Sequence, residues 1–377
     1  MIEPTERVRR FLDEGHETPF VVVDLAVVAE KYERLRAALP GATLHYAVKA
    51  NPEPEILSLL VGLGARFDVA SPAEIELCVA AGADPADLSF GNTIKRRTDV
   101  EAAYRRGVRH FAVDCDDEVD KVAAMAPGST VSCRILSDGT GAAWPLSRKF
   151  GCPPEHAVPV LRRAAAAGLG VGVGFHVGSQ QHDPDAWADA IDASLVIFDE
   201  LRGDGIEPDV LNLGGGFPGT YDSAVPPIET FGKAITSLLD ANRARLPASV
   251  IAEPGRYLVA DAGVLQTEVL LISRKEDPEV RWVYLDVGVF TGLVEAMDES
   301  IRYLVRTPHD GRPTGPAILA GPTCDSIDIL YELHPYELPL ELVEGDRIEL
   351  MATGAYTTTY SSVAFNGFPP LRSHVLV

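Results

Sequence analysis

The chain has little of what marks several protein classes. Its 377 residues hold five cysteines, Cys78, Cys115, Cys133, Cys152 and Cys324, an odd number at wide spacing. No pair is spaced like zinc ligands and the set is no disulfide framework, so no metal is expected and a reducing, cytoplasmic setting is. Positive charge is scarce: 33 Lys and Arg face 55 Asp and Glu, for a formal charge of −22. Such a surface repels nucleic-acid phosphates and anionic lipid, and neither is expected as a partner, whereas a small cationic substrate suits the field. No apolar run is long enough to span a bilayer. The charged start (Glu3, Glu6, Arg7, Arg9, Arg10) has no apolar signal core. No Gly-x-Gly-x-x-Gly follows the first strand with an acid at the right distance, which weakens a dinucleotide-binding reading.

What is present is length and rhythm. With 46% hydrophobic residues the chain can bury a sizeable core and form two domains. From residue 44 onward short apolar runs alternate with helical stretches. Strands are expected at 44–48, 66–69, 88–90, 110–113, 131–136, 171–176, 210–213 and 249–252. Pro and Gly punctuate the helices between them; Ser71-Pro72 with Glu74 reads as a capping box. A polar stretch at 137–153 interrupts the pattern. Strand–helix alternation implies a parallel sheet with helical crossovers, and eight units over this length match a (β/α)8 TIM barrel. An open, doubly wound sheet also satisfies the alternation. After Arg256 the pattern turns β-rich, with strands expected at 265–273, 282–286, 317–320 and 347–351. The short strand 20–23 could pair with that part. The expected division is a barrel over 24–255 and a β-rich domain from 1–23 and 256–377.

Polar residues at the exits of parallel strands are where such folds place chemistry. Lys49 follows a strand and precedes Asn51-Pro52; a lysine there can form a Schiff base with a carbonyl compound, or simply end the strand. His176 closes another strand and leads to Ser179. Gly214, Gly215 and Gly216 follow a third and can present backbone N–H groups to an anion, or make a flexible turn. Glu253 ends the last strand, three residues before Arg256; the acid suits a ring nitrogen and the arginine a phosphate, and a local ion pair fits equally well. Asp68 could hold either the lysine or the imidazole. Cys324 and Asp325 place a thiol beside a carboxylate in the β-rich part.

Taken in order, these stretches resemble the fold-type III pyridoxal-phosphate decarboxylases of basic amino acids, the ornithine, lysine and diaminopimelate decarboxylase group. The matching runs are 46–51 (Tyr-Ala-Val-Lys-Ala-Asn), 67–71 (Phe-Asp-Val-Ala-Ser), 175–179 (Phe-His-Val-Gly-Ser), 214–218 (Gly-Gly-Gly-Phe-Pro), 253–257 (Glu-Pro-Gly-Arg-Tyr), 321–325 (Gly-Pro-Thr-Cys-Asp), 354–356 (Gly-Ala-Tyr) and 365–368 (Phe-Asn-Gly-Phe). They span nearly the whole chain, and the ordered set is closest to the ornithine enzymes.

The resemblance implies an alanine-racemase-like barrel with a second domain built from both chain ends. It implies pyridoxal 5'-phosphate as cofactor, bound covalently by Lys49. His176 would stack on its ring and Glu253 would pair with the pyridine nitrogen. Ser179, Gly214 to Gly216, Arg256 and Tyr356 would hold the phosphate, with Asp68 and Arg134 as support. It also implies a homodimer with shared active sites, in which Cys324 protonates the substrate carbon and Asp325 binds the distal amine across the interface. The loop 137–151 resembles the family's closing loop. The expected reaction is decarboxylation of L-ornithine to putrescine, with L-lysine to cadaverine as a further activity. A larger substrate such as meso-diaminopimelate or carboxynorspermidine is an alternative, although Asp325 would repel a second carboxylate; a racemase fits less well. The chain departs from the ornithine enzymes where they carry Tyr-Asp: here stand Asp298-Glu299, and Glu299 would alter the length of the substrate pocket.

Overall fold

Eight short parallel strands close on themselves in the computed structural model, which describes residues 3–146, 148–275 and 279–377. Around the ring run Thr43–Ala47, Arg66–Val69, Leu88–Phe90, His110–Val113, Thr130–Arg134, Gly170–Gly174, Val210–Asn212 and Ser249–Ala252; the last pairs with the first, through Ile251 beside Thr43 and Ala252 beside Leu44. The closed (β/α)8 barrel therefore replaces the open-sheet alternative. Alternate strand residues form a buried apolar layer that includes Leu44, Tyr46, Phe67, Val69, Phe90, Phe111, Val131, Val173 and Leu211. One connecting helix begins at the capping box seen in the sequence. In Pro72–Ala80 the Ser71 hydroxyl accepts from Glu74 N at 3.3 Å, and Glu74 Oε2 returns to Ala70 N at 2.6 Å. Losing such a cap costs about 1 kcal/mol.

The polar stretch 137–153, described apart from residue 147, is not featureless. Ala142–Trp144 pairs antiparallel with Ser179–Gln181. A Cβ at Gly178 would stand 2.4 Å from the Ala142 Cβ and 2.9 Å from the Trp144 carbonyl oxygen, so only glycine permits this approach. Three residues are too few to show strand periodicity, which is why the sequence reads as loop there.

The chain divides into two compact units: Ala29–Pro218 with Val225–Gly255, and Met1–Val28 with Gly219–Ala224 and Arg256–Val377. The second is organised by a sheet of nine strands among the described residues. Phe20–Asp24 lies antiparallel to Gly263–Arg274 and parallel to Arg372–Leu376, so both chain ends enter this sheet. The helix Glu6–Asp13, capped by Thr5, packs Val8 and Leu12 against Phe20, Val22, Val264 and Met351. The stretch 355–368, which favours neither helix nor strand by propensity, forms short 3-10 turns at Thr358–Tyr360 and Phe365–Gly367.

Candidate active site

Lys49 leaves its strand in a single 3-10 turn, Val48–Ala50. The turn is fastened from both sides: Ala47 N donates to Pro254 O at 2.9 Å, and the Tyr46 hydroxyl donates to Asn51 O at 2.8 Å. Asn51 accepts from Glu53 N at 3.2 Å, a structural turn contact. The Lys49 ammonium donates to Asp68 Oδ2 at 2.8 Å, which decides for the lysine the question of what Asp68 holds. Asp68 is buried, whereas the lysine side chain is 50% exposed.

On the neighbouring exits Glu253 and the glycine turn are built as one piece. Glu253 N donates to Gly214 O at 2.7 Å. Asn212 Nδ2 donates to Glu253 Oε1 at 2.6 Å, while Asn212 Oδ1 accepts from Gly214 N at 2.9 Å. Burial, with the charge of Asp68 adding to it, pushes the Glu253 carboxyl up to about 7, against the pull of Lys49, Asn212 and Arg134. Gly214 has φ +65°, and a Cβ there would stand 2.0 Å from the Phe175 carbonyl oxygen. A Cβ on Gly215 would meet Glu253 O at 2.6 Å and His176 Nε2 at 3.2 Å. The turn thus brings bare backbone against the imidazole and the acid.

His176 Nδ1 accepts from Gly178 N at 3.0 Å, which assigns the ring proton to Nε2. Burial, then the charges of Arg134 and Lys49, hold this histidine well below its usual range, so the ring is neutral at pH 7. Arg134, half-buried near the Phe150 ring, is itself lowered by burial. Ser179 opens the short strand described above. Lys49, Asp68, Arg134, His176, Ser179, the glycines and Glu253 all belong to the barrel unit.

The other predicted residues belong to the second unit. There the Arg256 guanidinium grips Glu295 with two hydrogen bonds, Nη1 to Oε2 at 2.7 Å and Nη2 to Oε1 at 2.6 Å, and Nη1 also donates to the Tyr221 hydroxyl at 2.9 Å. The Tyr356 ring lies 4.8 Å from this guanidinium, and Tyr356 adopts a left-handed backbone, φ +55°. Cys324 is exposed, its amide donating to Asn366 Oδ1 at 3.0 Å. Asp325, half-buried, accepts from Ile327 N at 3.1 Å. Glu299 is already engaged: its carboxylate accepts from Leu333 N at 2.7 Å and His334 N at 3.1 Å and meets His334 Nδ1 at 2.7 Å. These contacts lower its pKa against the opposing effect of burial.

Three residues escape a reading of sequence alone. Asn212 stands two positions before the glycine turn, and a polar residue at a strand exit was its only signal. Glu295 opens the Glu-Ala-Met-Asp-Glu segment whose far end drew attention. Asp328 braces the loop before it, accepting from Thr323 N at 3.1 Å, Thr323 Oγ1 at 2.7 Å and Val289 N at 2.8 Å. Among the described residues no cluster of His, Cys, Asp and Glu could hold a metal ion, and no helix is long and apolar enough to cross a membrane.

Residues 25–260 match the family model described as pyridoxal-dependent decarboxylase, pyridoxal binding domain. A lysine/ornithine decarboxylase of Selenomonas ruminantium is 37% identical over 357 residues, covering 93% of this chain and 88% of that protein. The crystal structure of lysine decarboxylase from the same organism superposes with a TM-score of 0.89 at 34% identity, covering 99% of this chain and 96% of the other. The lysine/ornithine decarboxylase of Vibrio vulnificus, solved with cadaverine, also gives 0.89, at 31% identity over 99% of this chain and all of the other.

Proposed function

The chain belongs to the pyridoxal-dependent decarboxylase family, and from that premise we propose that it decarboxylates a basic L-amino acid, L-ornithine to putrescine first and L-lysine to cadaverine as a further activity. The observation that carries this reading is the barrel mouth, where a half-exposed lysine, a neutral histidine, a glycine turn and an acid held near 7 share one set of strand exits. The residues fit pyridoxal phosphate. A Cβ would close the cradle at Gly215 between imidazole and acid, and Glu253 is half protonated near neutrality, as suits a partner for a pyridine nitrogen. When bound, the cofactor supplies the electron sink for the pair left behind as carbon dioxide departs.

The chain's own residues supply the rest. Lys49, steadied by Asp68, holds the cofactor and releases product. Neutral His176 offers a flat face without adding positive charge, and Arg134 and Asp68 set the local field. Ser179 and Gly214 to Gly216 of the barrel unit hold the phosphate; for Arg256 and Tyr356 the same role rests on the resemblance alone. Asp325 pairs with the distal ammonium of the substrate; Glu299, tied to His334, acts on the same end through its charge. Cys324 delivers the proton that replaces the carboxylate, so one proton is consumed for each carbon dioxide released. Two copies form a dimer in which Cys324 and Asp325 serve the partner's site. We assign cofactor binding to a barrel of residues 24–255, and a separate β-rich domain to 1–23 and 256–377. A reducing, cytoplasmic setting suits five cysteines that form no disulfide among the described residues.

The test is carbon dioxide release across ornithine, lysine, arginine and diaminopimelate with pyridoxal phosphate present. Ornithine or lysine should turn over fastest, and Lys49→Ala should lose both turnover and the visible absorbance of the bound cofactor. A fully active Lys49→Ala variant, or a preference for diaminopimelate, would overturn the assignment.

A further inference from the structure

Barrel lumens are usually filled by branched apolar side chains. This one is not. Residues in register on adjacent strands project to one face of a sheet. Ala47 stands beside Asp68, Asp68 beside Ser89, Ser89 beside His110, and His110 beside Thr130. His45, two residues before Ala47, shares the face, as do Ser132 and Arg134, two and four residues after Thr130. Gly170, Gly172 and Gly174 lie beside Thr130, Ser132 and Arg134 on the same face. Because Asp68, Arg134 and Glu253 act on one another from different sides of the ring, this face is the lumen. It carries His45, Ser89, His110 and Ser132 where packing alone calls for Val, Ile or Leu.

These groups are not satisfied by protein alone. His110 Nε2 meets Ser132 Oγ at 2.7 Å. Both ring nitrogens of His45, the Ser89 hydroxyl and Asp68 Oδ1 are buried and have no partner among the described residues. His45 is 4% exposed, Asp68 4% and Ser89 2%. Buried polar groups at this density find partners, and where protein offers none a bound water does. Burial holds both imidazoles neutral: His45 falls to about 3, helped by His110 and Arg66, and His110 to about 4 against the opposing pull of Asp68. Each neutral ring then offers one donor and one acceptor, which is what a water-bridged chain requires. The charged groups facing the pair are Arg66 and Asp68.

We propose that His45, Ser89, His110 and Ser132 form a hydrogen-bonded column inside the barrel, completed by buried water, that ends on Asp68 Oδ1 and orients this carboxylate under Lys49. Ser89 and His110 are thus positioning residues: they act through Asp68, whose other oxygen holds the lysine. The inference rests on Lys49 as the cofactor lysine.

Ser89→Ala and His110→Leu remove donors from the column, while Ser89→Thr and His110→Gln retain them. A carboxylate stripped of donors orients poorly and is a weaker counter-ion. The pH midpoint of the bound-cofactor absorbance should therefore move down by about half a unit or more in the first pair and return towards wild type in the second. A crystal structure of the cofactor-loaded enzyme should show water bound to His45 and Ser89. An unshifted midpoint in Ser89→Ala and His110→Leu, whatever their melting temperatures, overturns the proposal, and so does a dry lumen. A wild-type protein that shows no cofactor absorbance overturns instead the reading of Lys49; the lumen water remains checkable in that crystal.

Discussion

Glu253 should make the cofactor-free protein less stable as pH rises, in a range where its variant Glu253→Gln is indifferent. The carboxyl sits at about 7 when folded, against an ordinary value of 4.5. The folded state thus holds this proton more tightly than the unfolded chain does. Its favourable contribution is complete below about pH 4.5 and is lost as pH rises through about 7. A shift of that size is worth about 3 kcal/mol, and the partial exposure of the side chain reduces it to about 2. Glutamine keeps an acceptor for Asn212 Nδ2 and removes the ionisation. Urea unfolding of the cofactor-free proteins should give nearly equal stabilities at about pH 4.5, with the variant ahead by about 2 kcal/mol at about pH 8. The sign reverses for cofactor affinity, since a protonated ring nitrogen needs the carboxylate that the variant lacks. A stability difference between variant and wild type that does not change with pH would refute the electrostatic account of the barrel mouth.

Two further outcomes concern the second unit and the assembly. Glu295→Ala leaves the Arg256 guanidinium buried without its counter-charge, the pair being 3% and 7% exposed, and should cost about 3–5 kcal/mol in thermal or denaturant unfolding; a loss below about 1 kcal/mol would show that Tyr221 suffices. Cys324→Ala should slow product formation far more than it weakens cofactor binding, and mixing it with Lys49→Ala should restore about a quarter of wild-type activity through mixed dimers with one intact site, whereas no recovery would place Cys324 in its own chain's site.

The barrel was legible because it is periodic. Eight apolar runs separated by helices leave few arrangements that bury one face of each strand and one stripe of each helix. Lys49, His176 and Glu253 were legible because the strand exits share a face once the ring closes. Contacts that depend on partners distant in sequence were not. Nothing around Arg256 announces that Glu295 will take two of its hydrogen bonds, because the two lie 39 positions apart and meet only in the folded unit. Glu299 reads as a free acid but is bound by His334 and two amides, on a segment where Asp298 and Glu299 both take left-handed φ. The polar lumen was hidden for another reason. A histidine or serine inside a strand looks like one residue of an amphipathic alternation, and only the closed ring turns that face inward, away from water.

That inversion bears on how the mouth divides its work between two carboxylates. Asp68 and Glu253 share one enclosed space, and the charge of Asp68 raises the cost of ionising Glu253. The structure resolves the conflict by giving them different partners. Asp68 takes the ammonium of Lys49 at 2.8 Å, while Glu253 takes the neutral amide of Asn212 at 2.6 Å. An ammonium favours a carboxylate as an anion more strongly than an amide does, so the proton that one of the two acids retains falls to Glu253, consistent with its value of about 7. The acid left half protonated is the one suited to share a proton with a ring nitrogen, and the other is the one that holds the lysine. Exchanging the partners, by Asn212→Asp, should undo this assignment: a third carboxylate beside Glu253 would push it further towards the neutral form and deprive the ring nitrogen of its counter-ion, lowering turnover more than cofactor occupancy.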